Sequence, residues 1–367
     1  MLPLTEVRDR VHTAPSDVCE RRPQERRGTM THMPHRSRAR RGTASVLAAG
    51  LTVSLAACGG NLSGGGSAEG EFPQGPITMM VGQAPGGSTD LIARALAEGV
   101  QDGLGVAVPV VNTPGANGAL AANELSSADP DGQNLLVINA SLTAITPLAV
   151  SEDEVVDIAD YEVVTGVSRD DYVLVTAASS DYDSLQDLVD SGDEVEYGTT
   201  GVGTGSQLSQ ALLFEQAGIS GTAVPFDGGS PTLTAVLGEQ VDVASVQLGE
   251  AIAQIEAGEI TPLATFAEER NQYLSDVPSA VEEGYDVRVS QYRAVVAPPG
   301  TPAEVVERLR TALTDVFASD AYQEFNENNL LTPHELEPAE LTEEWSSFAQ
   351  EYASLVEEYG IDMGEGQ

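Results

Sequence analysis

The chain has 367 residues and a formal net charge of −40, from 57 Asp and Glu against 17 basic residues. Every basic residue is Arg, which excludes the phosphate-binding lysine of a P-loop and any Schiff-base lysine. Ten arginines precede Cys58, so residues 58–367 hold seven arginines and 52 acids, a net −45 unsuited to the phosphates of nucleic acid, and no nucleic-acid partner is expected.

At the N-terminus, Arg36, Arg38, Arg40 and Arg41 precede a small and apolar run over 44–57, the pattern of an export signal and too short to span a membrane. The run ends in Leu55-Ala56-Ala57-Cys58, which looks like the lipobox of bacterial lipoproteins, with Cys58 lipidated as the first mature residue. Residues 1–57 are thus read as an N-terminal extension and signal peptide, with Met30 or Met33 a more natural start than Met1. Residues 58–75, rich in Gly and Ser, read as a flexible tether, which implies a protein outside the cytoplasm held by acyl chains. Past Cys58 the chain keeps one histidine, His334, and gains no further cysteine. Neither a disulfide nor a Cys/His zinc site can form in it, and no metal, cofactor or catalytic residue is expected.

The mature chain repeats one local theme. An apolar strand over 77–81 leads into the loop Gly82-Gln83-Ala84-Pro85-Gly86-Gly87-Ser88-Thr89-Asp90, then a helix with Leu91, Ile92, Ala95, Leu96 and Val100 on one face. Ser88 or Thr89 is the expected cap, with Asp90 suiting the dipole of the first turn. Glycines that expose main-chain N–H groups beside a helix start can hold a carboxylate without a cationic side chain. A second strand over 106–111, the loop 112–118 and a helix over 119–125 follow, then a third strand over 134–138 ending in Asn139-Ala140-Ser141. Such alternation predicts a parallel sheet with its ligand beyond the carboxyl ends of the strands.

A strand-rich stretch over 161–176 is the expected crossing into a second domain. There the theme returns as a strand over 195–198, a loop containing Thr200, Gly203, Thr204, Gly205 and Ser206, and a helix carrying Leu208, Leu212 and Leu213. Without Lys, and without an acid on the following strand, this Gly-rich loop is not read as a dinucleotide site. The loop 224–231, a helix to 237 and a strand over 241–246 come next, and 287–297 reads as the return strand. Thr301 should cap, and Pro302 open, a helix burying Val305, Val306, Leu309, Leu313, Val316 and Phe317. A last helix places Leu341, Trp345, Phe348, Tyr352, Leu355 and Tyr359 on one side, as core packed back on the first domain.

In order and spacing, several of these pieces resemble one family, the substrate-binding proteins of tripartite tricarboxylate transporters, also called Bug receptors. The matching segments include Pro85-Gly86-Gly87-Ser88-Thr89-Asp90, Asn112-Thr113-Pro114-Gly115-Ala116-Asn117-Gly118, Asp129-Pro130-Asp131-Gly132 and Gly201-Val202-Gly203-Thr204-Gly205-Ser206. Gly238-Glu239-Gln240-Val241-Asp242 and Ala297-Pro298-Pro299-Gly300-Thr301-Pro302 extend the likeness over nearly all of 76–361. The resemblance implies an α/β, two-lobed, periplasmic-binding-protein-like (type II, Venus flytrap) fold with mixed, mostly parallel sheets. Residues 76–175 plus 298–367 would form the first lobe and 176–297 the second. It implies a small organic acid as ligand, the integral membrane subunits of the transporter as partners, a monomer, and no enzymatic activity. Carried over residue by residue, it makes Gly86, Gly87, Ser88, Thr89, Gly115, Ala116, Asn117 and Ser141 contacts from the first lobe, faced by Thr200, Gly203, Thr204, Gly205 and Ser206 from the second.

Three departures stand out. Phe226-Asp227-Gly228 replaces the usual Tyr-Lys-Gly, residues 207–210 lack an early His, and Tyr292-Arg293 replaces an aromatic-Gly pair. Asp227 is a candidate contact whose effect depends on its direction. Facing solvent it leaves the ligand class unaffected; about 6 Å from a ligand carboxylate it would cost roughly 3 kcal/mol at an effective dielectric of about 20. Two other classes are weighed: an extracytoplasmic sensor of organic acids feeding a kinase, which the sequence does not separate from a transport receptor, and a hydrolase, for which only His334 could serve as base and no Gly-x-Ser-x-Gly elbow exists.

Overall fold

The computed structural model describes residues 72–364; the signal segment, Cys58 and the tether up to residue 71 lie outside the described residues. Apolar runs of four to six residues form β1 (Thr78–Val81) and β3 (Asn134–Asn139), with the short β2 (Val110–Asn112) beside them. These three pair in parallel in the order β2-β1-β3, connected by α1 (Ser88–Leu104) and α2 (Ala119–Ser126), with α3 (Ala140–Ala144) after β3. The 16-residue β4 (Glu162–Ala177) then carries the chain out of this half. Beyond it come α4 (Leu185–Ser191), β5 (Val195–Thr199), α5 (Gly205–Ala217), β6 (Gly221–Pro225), α6 (Gly229–Leu237) and β7 (Val243–Gln247). Their strands repeat the first arrangement, parallel in the order β6-β5-β7. The chain closes with α7 (Leu248–Glu256), β8 (Ile260–Thr265), β9 (Ser290–Ala297), α8 (Ala303–Phe317), α9 (Asp320–Asn328), β10 (Thr332–Pro333) and α10 (Pro338–Tyr359).

The two triplets join through antiparallel strands in the order β2-β1-β3-β9-β4-β7-β5-β6, with β8 and β10 also on β4. β9 pairs with β3 on one side and with β4 on the other, from Glu162↔Ala297 to Asp171↔Ser290. From Tyr172 onward β4 turns to β7 and β8 instead, so one strand serves both halves.

The core follows the predicted faces with instructive exceptions. On α1 the buried stripe is Ile92, Ala93, Leu96, Ala97 and Val100, while Leu91 is 39% exposed. A helix cannot bury 91 together with 92, 96 and 100, because 91 lies a full 100° beyond the stripe. Thr301 does not cap α8. The helix starts one residue later than expected, its N-cap is Pro302, and the Thr301 hydroxyl instead donates to Pro298 O at 2.7 Å, closing the turn. The last helix also departs from expectation. Leu341 and Trp345 pack among residues of the first half such as Met80 and Leu136, but Tyr352 packs with Leu208 and Leu212 of the second. At 22 residues α10 is long enough, roughly 33 Å, to brace both halves.

α1 meets α8 where a Cβ on Gly99 would lie 2.5 Å from Val316 Cγ2. Gly99→Ala should therefore destabilise by about 1–3 kcal/mol, overpacking outweighing the roughly 1 kcal/mol gained in helix propensity. In a urea-unfolding cycle, Gly99→Ala combined with Val316→Ala should be less destabilised than the sum of the single changes; strict additivity would refute the close contact.

Candidate functional site

The first loop leaves β1 at Val81 and meets the second loop at once, because a Cβ on Gly82 would lie 2.4 Å from Gly118 Cα. Its far end is N-capped by Gly87, not by Ser88 or Thr89 as expected; the helix begins at Ser88, which places both hydroxyls inside the first turn. They turn inward instead. Ser88 Oγ donates to Asp170 Oδ2 at 3.3 Å, and Thr89 Oγ1 donates to Asn139 Oδ1 at 3.2 Å while accepting from Arg293 Nε at 2.9 Å. Asp90 holds the loop to its helix. Its carboxylate accepts the Gly86 N–H at 2.9 Å, the Arg94 guanidinium at 2.8 Å and Asn112 Nδ2 at 2.9 Å. Burial opposes this charge, yet the bonds from Arg94, Gly86 and Asn112 prevail and hold Asp90 below the usual carboxylate range.

Asn117, in left-handed backbone at φ 51°, reaches across the molecule. Its amide Nδ2 lies within 2.9 Å of Thr146 Oγ1, 3.1 Å of Ser141 Oγ and 3.3 Å of Gly203 O. Gly203, Thr204, Gly205 and Ser206 are spent on the wall itself. Gly203 N–H donates to Gln207 Oε1, Thr204 Oγ1 accepts the Gln207 N–H as the α5 cap, and Ser206 Oγ donates to Ser245 O. Gly205 lies so close to Tyr172 that a Cβ would come within 2.6 Å of its ring.

The floor comes from alternate residues of β4 and β9. Asp170, Tyr172, Gln291 and Arg293 are all buried, and Arg293 is only 1% exposed. Arg293 is ion-paired with Asp170, and Gln291 Nε2 donates to Ser141 Oγ at 3.2 Å and to the Tyr172 hydroxyl at 3.1 Å. Burial pushes the Tyr172 phenol well up, so it stays neutral and can serve as a donor. Burial likewise pushes the Asp170 carboxyl up, against the pull of Arg293. Above this floor Glu250, from the first turn of α7, accepts the Ser88 N–H at 2.8 Å.

Two adjoining cavities occupy the cleft. The inner one, about 30 Å³, is lined by Gly87, Ser88, Thr89, Asn117, Thr200 and Asp227 among the expected residues, together with Asn139, Gln247, Glu250 and Gln291. The outer one, about 290 Å³, is lined by Gly115, Ala116, Asn117, Thr200 and Asp227, with Gln83, Gly201 and Phe226. Asp227 is exposed and stands at the mouth of both. Gly86, Ser141, Gly203, Thr204, Gly205 and Ser206 line neither; they support the walls. The three loops are free of charge apart from Asp90, but the assembled cleft is not, because Glu250 and Asp170 arrive from elements that sequence reading did not place there.

A larger concavity of about 600 Å³ lies behind β4 and β9, lined by the intervening residues Arg169, Asp171, Ser290 and Tyr292. Its arginines are engaged with acids: Arg169 with Asp171 at 3.8 Å, Arg270 with Glu282 at 3.1 Å, and Arg288 with Asp286. His334 sits on this side, with Nε2 2.8 Å from Glu344 Oε2 and its ring against Tyr292, away from the cleft. Among the described residues no three His, Cys, Asp or Glu side chains are grouped to hold a metal, and no helix is long and apolar enough to cross a membrane.

The family described as "Tripartite tricarboxylate transporter family receptor" matches residues 92–360. A relative from Agrobacterium vitis, described as the UPF0065 protein in the TAR-I ttuE-ttuC' intergenic region, is 30% identical over 305 residues, covering 80% of this chain and 87% of its own. The periplasmic binding protein BugD superimposes with a TM-score of 0.74 at 26% identity, over 79% of this chain and 99% of that one. R. palustris Rpa4515, solved with adipate, gives a TM-score of 0.76 at 25% identity, again over 79% and 99%. The fold is thus the two-lobed α/β type of periplasmic binding proteins.

Asp90→Asn should destabilise the protein by about 1–3 kcal/mol at neutral pH, the range for a lost charge-assisted network. A carboxyl held low in the folded state stabilises above its unfolded pKa of about 4 and loses that stabilisation as pH falls through its folded value. Thermal melts of parent and variant should therefore converge in acid; a gap constant from pH 7 to pH 3 would contradict the role assigned to the Asp90 charge.

Proposed function

The chain belongs to the tripartite tricarboxylate transporter receptor family, and from that premise we propose that it captures a small organic acid outside the cytoplasm and delivers it to the integral membrane subunits of such a transporter. The observation that carries this reading is the convergence of the first, second and Thr200 loops, from opposite halves, on one cleft. Main-chain amides at the α6 start and the Thr200 hydroxyl border the inner cavity and supply donors suited to a carboxylate, the helix end adding on the order of 1 kcal/mol. The relative solved with adipate agrees with a ligand of this class. No cofactor takes part.

Cys58, lipidated, anchors the receptor to the outer face of the cytoplasmic membrane, and residues 58–75 give it reach. It acts as a monomer. The first lobe (76–175 and 298–367) and the second (176–297) close over the acid, β4 being the strand they share. The closed form is the one that the membrane subunits read.

A purified protein starting after Cys58 should melt higher with at least one member of a carboxylate panel, a ligand at a hundred times its dissociation constant adding about 2.7 kcal/mol. No shift with any acid would remove the proposal. Gly87→Asp tests the site directly. Position 87 has extended backbone (φ −80°, ψ 168°) that Asp favours as an N-cap, but its Cβ would lie 3.3 Å from Glu250 Oε1, so the variant should abolish the shift, and a circular-dichroism spectrum matching the parent's checks that the fold survives. A Gly87→Asp variant that binds as tightly as the parent would take the first loop out of the site.

A further inference from the structure

The start of α1, where sequence reasoning seats a ligand carboxylate, is already filled by a carboxylate of the protein. Glu250 Oε1 accepts the Ser88 N–H at 2.8 Å. The carboxylate lies in a cradle of two glycines at helix starts. A Cβ on Gly87 would be 3.3 Å from Glu250 Oε1, and one on Gly229, the first residue of α6, would be 1.7 Å from Oε2. Any side chain at 229 would evict it. Glu250 Oε2 is buried without a hydrogen-bond partner and belongs to the lining of the inner cavity.

The charge balance points the same way. Arg293 stabilises both Asp170 and Glu250, so one guanidinium faces two carboxylates on the cleft floor, and Asp227 adds another at the mouth. Burial pushes the Glu250 carboxyl up, against the pull of the Ser88 N–H, Arg293 and the Gln247 N–H. A ligand carboxylate about 6 Å from Glu250 would lose roughly a hundredfold in affinity at an effective dielectric of about 20, whereas an ammonium, hydroxyl or amide there would meet a waiting acceptor.

We propose that Glu250 is a specificity-determining residue: it occupies the α1 anion subsite, so that the ligand is an acid with a single carboxylate, held in the outer cavity, whose other end presents a hydrogen-bond donor to Glu250. The inference rests on the acid-receptor reading above and narrows it, setting monocarboxylates with a distal donor apart from di- and tricarboxylates.

The test uses pairs that differ only at the distal group: succinate with 3-aminopropanoate, glutarate with 4-aminobutanoate, adipate with 5-aminopentanoate. Each is titrated calorimetrically into the parent and into Glu250→Gln, which keeps an oxygen for the Ser88 N–H and removes the charge; unchanged melting of the free variant checks its fold. In the pair that fits the cleft, the parent should prefer the amino acid at least tenfold. Glu250→Gln should weaken the amino acid and strengthen the dicarboxylate, each about tenfold, and Glu250→Ala should shift the preference in the same direction. A parent that prefers the dicarboxylate, with Glu250→Gln indifferent, overturns the inference and leaves the acid receptor standing. Affinity rising equally for both members of a pair also overturns it, since Glu250 would then be a mere plug displaced by any acid. If no member of any pair binds parent or variants while another acid of the wider panel does, the inference is overturned and the acid receptor stands; if no acid of the panel binds, the acid-receptor reading fails and the inference goes with it.

Discussion

The antiparallel pair of β4 and β9 is the constraint on which the other features depend. It carries the chain between the two triplets of parallel strands, and its alternation decides what the cleft contains. Asp170, Tyr172, Gln291 and Arg293 face the cleft side, while Arg169, Asp171, Ser290 and Tyr292 line the concavity behind. A one-residue slip in that ladder would exchange the two sets. Arg293 strengthens the constraint. A buried guanidinium is costly without partners, and those of Nη1 come from β4 through Asp170 and Ser168 and that of Nε from Thr89 at the start of α1, while Nη2 is buried with none. The strand that joins the halves and the loop that opens the site are thus fixed to one another.

An excess of acid over most of the chain looks hostile to an anionic ligand, yet distance settles which charges matter. Surface carboxylates more than about 10 Å away are screened by salt, so groups within hydrogen-bonding reach of the cleft decide the outcome. There the balance is mixed. Thr200 and the α6 start offer donors; Glu250, already bonded to the Ser88 N–H, and Asp227 offer acceptors; Arg293 lies beneath, 1% exposed, where it neutralises the floor without offering itself to solvent. Such a cleft discriminates by where it donates and where it accepts, not by net charge.

Much of the fold was legible in the chain, for physical reasons that also explain what was not. Apolar runs at 77–81 and 134–138, broken by Gly-rich loops and followed by 3.6-period stripes, report local structure directly, and β1, α1, β3, α5 and α8 fall where the pattern places them. Loop membership was equally visible, so Gly87, Ser88, Thr89, Asn117 and Thr200 meet at one cavity as their motifs suggested. Caps were misread at Ser88 and Thr301, because which residue is N-cap hangs on a one-residue shift that propensity does not resolve. Glu250 and Arg293 left no such trace. An acid in the first turn of a helix reads as a solvated charge, and an Arg in a β-strand reads as a departure from a motif. Their roles are created by the register of β9 on β4 and the approach of α7 to α1, both long-range facts of topology. The same holds for α10, whose single apolar face gave no sign that it would be shared between two cores.

The glycines of this cleft are best understood as contact points between halves. A Cβ at Gly203, in the second half, would fall 2.8 Å from Thr146 Cα, in the first, so the close approach of opposite walls requires bare backbone there. The bonds that cross the cleft are correspondingly few and small. They include Ser88 N–H to Glu250 Oε1, Asn117 Nδ2 and Thr146 Oγ1 to Gly203 O, and Ser230 Oγ to Gly86 O. At about 1 kcal/mol each they total a few kcal/mol, the range in which a bound ligand's differential affinity moves an open–closed equilibrium decisively. Walls locked by large apolar side chains would be too stable to open. Glycine, by keeping the contact between these walls to a handful of hydrogen bonds, meets what the proposed closure over a ligand requires.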